Sequence, residues 1–404
     1  MGKDGMKRKQ VFGIVSGSII LFLFSAVLIA GYKNLRLKQK SKKVQTTTYR
    51  YDKAYLTELA HSMNPDARIV HNPEVGRWDK DGTHRFQLKK EWELGYDDDA
   101  KHDLNIDNAG GMRADSHDNL YVYEYGAGKI YCFDSTGTFK FEFGERGQGP
   151  GEFSGSIQFY LLHDSLLYTY DYGNQRISKF IIREKKGGVY VSSYRQEIDG
   201  RPISFVVNDS QETFLSFYDA KSGFVVHKYN TKGEHVASFG KPIKLDLPNK
   251  FMLRMIERNS YRGNLAYYNG SILYSQRNPY KIAIYSDPGQ LLLQITRKNN
   301  FLKPPDVLIE GKDTYTMRMP PRSTCVRLWN GFIWNAIYFP ASTYPESVTV
   351  LDVYELNGNL LTSIKIPERI LVFEISGTGK IYGKLWDEQN EGFLHIVRYA
   401  VSVK

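Results

Sequence analysis

Cysteine is nearly absent: Cys132 and Cys325 are the only two in 404 residues. They stand too far apart for a redox or zinc spacing, so two buried reduced thiols are expected rather than a disulfide framework. Catalytic signatures are missing as well. There is no His-Glu-x-x-His, no Gly-x-Ser-x-Gly, and the nine histidines are scattered. The stretch FGERGQGPGEF, residues 143–153, has four glycines between two aromatics. It lacks the third glycine of a dinucleotide fingerprint and the Gly-Lys-Ser/Thr of a P-loop. The acidic run at residues 97–103 lacks the alternating spacing of a calcium loop. No cofactor and no metal are therefore expected.

Net charge is missing from most of the chain. The formal +10 comes from 54 Lys/Arg and 44 Asp/Glu, and residues 1–50 alone hold 11 of the former and one of the latter. That leaves 43 of each sign from Tyr51 onward, so a basic footprint for nucleic acid is excluded.

Long hydrophobic runs are also scarce, with one exception. Val11 to Ala30 is uncharged for 20 residues, about 30 Å as a helix, which matches a bilayer core. After a basic tail at residues 1–10, a single transmembrane signal-anchor helix is expected over residues 11–31. A cleaved signal peptide is the rival reading, but its apolar region would be shorter and end in a small-x-small site. Four Lys/Arg precede the span and six follow it closely, a count that favours a cytoplasmic body.

What the body does contain is short Tyr/Phe/Val/Ile runs punctuated by Gly, Asn, Asp and Ser, an all-β pattern. One segment recurs six times: DNLYVYEY, DSLLYTYDY, QETFLSFYD, GSILYSQR, GFIWNAIYF and GKIYGKLWD. Anchored on Tyr121, Tyr168, Leu215, Tyr274, Trp334 and Tyr382, the units are 47, 47, 59, 60 and 48 residues apart. Six units of this length predict a six-bladed β-propeller, because a four-stranded blade buries its faces only against its neighbours. A short helix is expected in the insertion at residues 247–263. The last unit is short of a strand, and residues 85–94, in HRFQLKKEWELG, are expected to supply it and close blade six. Residues 32–84 then read as a basic flank and stalk, and 85–404 as the propeller.

The first unit, IDNAGGMRADSHDNLYVYEYGAGKIYCFDSTGTFKFEFGERGQGPGEF, resembles an NHL-type repeat. The chain is similar over residues 85–404 to bacterial six-bladed propellers built from such units, most clearly there and in YDYGNQRISKF. That resemblance implies a body that is exported or membrane-anchored, hence extracytoplasmic, against the charge count. It also implies that GERGQGPGE is the crossover from the outermost strand of blade one to the innermost strand of blade two. Glycine allows positive φ there and Pro150 stiffens the turn.

Propeller ligands meet the ends of the innermost strands. About 13 residues before each anchor stand Arg201, Arg262, Arg322 and Arg369, with Asp107 and Glu152 at the corresponding places in blades one and two. Guanidinium forks suit carboxylates and phosphates. The expected function is a membrane-anchored, non-enzymatic binding or scaffold module for a protein partner or an anionic peptide or glycan. The alternative is a hydrolase or lyase using axial arginines and acids.

Overall fold

The computed structural model describes residues 43–46, 48–49, 53–83, 85–95, 105–184, 186–246, 250–298, 306–309, 315–318, 320–340, 348–388 and 392–403. The expected membrane span and the acidic run at 97–103 lie outside them. Among the described residues no helix is long and apolar enough to cross a membrane.

The chain divides into two compact units. The smaller holds most of a sheet in which Lys43–Thr46, Asp306–Ile309 and Tyr315–Arg318 are neighbours in that order. The larger is the propeller. Each of the six recurring segments forms the second strand of a blade: Leu120–Glu124, Leu166–Asp171, Thr213–Ser216, Ser271–Gln276, Phe332–Phe339 and Lys380–Asp387. In the first five almost every residue is buried, and in the sixth Ile381 to Lys384 are, which is why aromatic and β-branched residues concentrate there.

The hydrophobic cores lie between blades. Tyr123, Phe153 and Phe180 join blades one and two, while Trp334, Leu351, Ile370 and Val397 join five and six. Burial between neighbours explains why no blade stands alone. The innermost strands are Ala109–Ala114, Ile157–Leu162, Ser204–Val207, Gly263–Tyr268, Arg322–Trp329 and Ile370–Ile375. Each packs against those of the two adjacent blades, and the last packs against the first, so the ring is complete.

Closure is made by Phe86–Leu94, which pairs antiparallel with Gly392–Val403 as the outermost strand of blade six. The segment read as a stalk departs from that expectation. Its described part includes helix α1, Lys53–His61, then the strand Arg68–Asn72 and helix α2, Arg77–Asp81. The strand adds to blade four as a fifth, parallel member beside Leu291–Arg297. Buried Asn72 ties it in, donating to Gly358 O at 2.9 Å and accepting from Leu360 N at 2.7 Å. At Gly76 the backbone is so close to blade five that a Cβ would stand 2.4 Å from Leu361 O. The physical reason is that an outer strand exposes a free edge, and this strap covers two of them. The insertion at 247–263 contains helix α3, Lys250–Ser260.

The glycine-rich stretch connects Phe139–Phe143, outermost in blade one, to the innermost strand of blade two. Gly144 and Gly151 take φ of +85° and +83°. Glu152 folds back on the loop, accepting from Gly149 N at 2.7 Å, and a Cβ on Gly147 would collide with its carboxylate at 1.9 Å. Arg176 donates to the carbonyls of Gln148, Gly149 and Glu152. The loop is thus closed on itself.

Candidate functional site

Every blade presents two positions to one face of the ring: the start of its innermost strand, and the turn that follows its second strand. At that face an outer cavity of about 290 Å³ opens, lined among others by Arg201, Arg262, Arg277, Tyr125 and Tyr172. An inner cavity of about 190 Å³ follows along the axis, lined by residues of all six innermost strands, including Arg113, Arg322 and Arg327. Gly110, Gln158, Ile203 and Arg277 line both.

Four arginines gather along these cavities, and no carboxylate lines either of them. Arg201 donates to Ser156 Oγ at 3.0 Å and stacks 5.5 Å from the Tyr172 ring. Arg262 donates to Arg201 O at 3.2 Å and to the Asn259 side chain, and its buried Nε has no partner. Arg322 lies 5.6 Å from the Tyr338 ring centroid. Arg277 holds its place through the backbone, its N donating to Arg262 O at 3.0 Å. Among the described residues none of the four is ion-paired to an acid. Burial lowers the pKa of Arg277 to about 9, with Arg322 and Arg262 adding repulsion. Arg262 is lowered by burial and by Arg201, and Arg322 by burial. Free arginine holds its proton far more firmly than that, so these charges are poorly compensated by the protein.

Deeper on the axis the charges are paired. Glu374 accepts from Arg327 Nε at 2.9 Å and stands 3.3 Å from Arg113. Burial opposes the charge of Arg327, yet Glu374 outweighs it and raises the pKa; Arg113 is lowered by burial despite the same carboxylate. One acid shared by two arginines leaves the floor cationic too. Cys325 lies at this level, buried, its thiol raised to about 11 mainly by burial.

The tyrosines at the mouth are positioned by buried acids. Glu124 accepts from the backbone N of Gly126 and Ala127 at 2.7 and 2.6 Å, which shapes the turn presenting Tyr125. Asp171 accepts from Gly173 N at 2.9 Å and Ser154 N at 2.8 Å, and so fixes Tyr172 in blade two.

Of the sequence candidates, Arg201, Arg262 and Arg322 line the cavities. Arg369 does not: its guanidinium stacks 3.7 Å from the Trp386 ring. Glu152 belongs to the crossover loop, for the reason given above. Asp107 lies in the short 3-10 turn Ile106–Asn108. Arg277, Arg113, Arg327 and Glu374 were missed. Arg277 carried a signal, since it follows the second strand as Tyr125 and Tyr172 do. Among the described residues no group of three or more His, Cys, Asp or Glu is placed to hold a metal ion.

Six blades around a cationic axis define an all-β six-bladed β-propeller. Residues 104–303 match the family DUF5128, described as a 6-bladed beta-propeller. No curated protein matches the sequence. Among solved structures, a Bacteroides fragilis protein described as exported aligns at TM-score 0.52 and 10% identity, over 83% of this chain and 99% of its own. A duf4221-family member from Bacteroides vulgatus aligns at 0.52 and 11%, over 79% and 99%. Virginiamycin B lyase from Staphylococcus aureus aligns at 0.44 and 13%, over 78% and 99%. At these identities the likeness to the two Bacteroides proteins shows the fold alone.

Proposed function

We propose that the protein is a membrane-anchored binding module whose axial mouth takes an anionic ligand. One observation carries this reading: Arg201, Arg262 and Arg277 line the mouth, Arg277 and Arg322 line the cavity it leads into, and no acid is paired to them among the described residues. Uncompensated cations destabilise a fold, and an anion that binds between them relieves that cost. Binding is favoured over catalysis because the acid at the axis, Glu374, is already committed to two arginines. The uncharged run at residues 11–31 supports anchoring, and the resemblance to exported propellers with NHL-like repeats supports an extracytoplasmic body.

The test is thermal unfolding of the full chain in detergent with sulfate, phosphate or acetate, against chloride at equal ionic strength. An anion at 100 times its dissociation constant should stabilise by about 2.7 kcal/mol. The doubly substituted Arg277→Gln, Arg322→Gln protein should lose that response. Equal responses to every anion and to chloride would overturn the proposal.

A further inference from the structure

We infer that the ligand is an acidic saccharide, its carboxylate or sulfate ester held by the arginines and its sugar face packed on Tyr125 and Tyr172. The inference rests on the anion-binding reading and goes beyond it by naming what carries the charge.

Three observations point to a sugar. First, Tyr125 and Tyr172 are 45% and 40% exposed, and both line the outer cavity. They occupy the same place in successive blades, and buried Glu124 and Asp171 hold the turns that present them. Two such rings at equivalent places, facing one cavity, offer a stacking surface. The C–H face of a pyranose matches such a ring. Second, the cations face the same space, and a guanidinium fork meets a carboxylate or sulfate at two points. Third, hydroxyl-matching groups line the cavity. Tyr170 lines the outer cavity, and the Gln158 side chain lines both cavities with no hydrogen bond to the protein among the described residues.

Size agrees. Small-molecule pockets span roughly 300–1,000 Å³, and a mouth of about 290 Å³ continuing into about 190 Å³ suits a mono- or disaccharide. Arg277, common to both, would meet the acid group where the cavities join. An extended acidic peptide would instead draw on a row of backbone donors and acceptors along a strand edge.

The experiment is calorimetric titration of the full chain in detergent with digalacturonate, neutral digalactose, tri-glutamate and sodium sulfate. Digalacturonate should bind at least tenfold tighter than sulfate and tenfold tighter than digalactose. The doubly substituted Tyr125→Ala, Tyr172→Ala protein should narrow the ratio of digalacturonate to sulfate affinity at least tenfold. Tyr125→Phe with Tyr172→Phe should keep it. Both rings are exposed, so neither exchange opens the core. Sulfate binding as tightly as digalacturonate, or tri-glutamate binding tighter, would overturn the saccharide inference while the anion reading stands. If neither sulfate nor any acidic probe binds, the anion reading fails and this inference with it.

Discussion

Replacing Arg277 by glutamine removes a guanidinium that has two cationic neighbours and no acid, so the free protein should become more stable. The magnitude follows from charge geometry. At an effective dielectric of about 20, like charges about 6–8 Å apart repel by roughly 2–3 kcal/mol. The mouth is open to water, which reduces each pair to about 1 kcal/mol, and Arg322 and Arg262 make two such pairs. A gain of about 2 kcal/mol should raise Tm by about 3 °C for a domain of this size. Calorimetry at about 10 mM salt should show it, and about 1 M salt should shrink the part that comes from repulsion while the part that comes from burial persists. The penalty is complete below pH 9, where the folded and unfolded chains are both protonated; relief begins as pH rises past 9 and grows toward the ordinary arginine pKa. Arg277→Lys keeps the charge and should show little of the gain. With a binding anion present the order should invert, because the wild type gains ligand stabilisation and Arg277→Gln gains less. An Arg277→Gln protein melting at or below the wild type in low salt would show that these cations are not in conflict, and the case for an anion would lose its basis.

Three further outcomes can be checked. Gly76→Ala would place a methyl 2.4 Å from Leu361 O and should cost about 1–3 kcal/mol in denaturant unfolding, with proteolysis beginning in the strap. His227 is stacked 3.9 Å from Phe217 and lowered from 6.5 to about 4, chiefly by burial. Its folded pKa is below the unfolded one, so stability is full above pH 6.5 and falls toward pH 4 by about 3 kcal/mol; His227→Gln should flatten that limb in a pH series of unfolding curves. Buried Asp352 is paired with Arg297 and accepts from Tyr280 and Tyr354 at 3.1 and 3.2 Å. Asp352→Ala should cost about 3–5 kcal/mol by leaving a buried cation uncompensated, while substituting both partners by apolar residues should recover much of it.

The blade count was legible because each second strand is buried on both faces and must repeat an apolar, aromatic pattern. Tyr121, Tyr168, Leu215, Tyr274, Trp334 and Tyr382 therefore mark it at blade spacing. The closing strand was legible for a related reason: Phe86, Leu88, Trp92 and Leu94 form a strand-like segment without a blade of its own. The strap was not, because Arg68–Asn72 is a single short strand whose partner lies more than 200 residues away.

The sequence by itself determined the ring of six, the neutral body and basic terminus, and the arginines that begin the inner strands, since all of these are local patterns or sums. Only the tertiary structure decided which arginines meet. Arg369 has nearly the same sequence offset as Arg201, Arg262 and Arg322 but stacks on Trp386, while Arg277, from a different turn, joins the cluster. Convergence on an axis depends on which rotamer each neighbouring blade leaves open, and that packing is set by residues scattered over the whole chain.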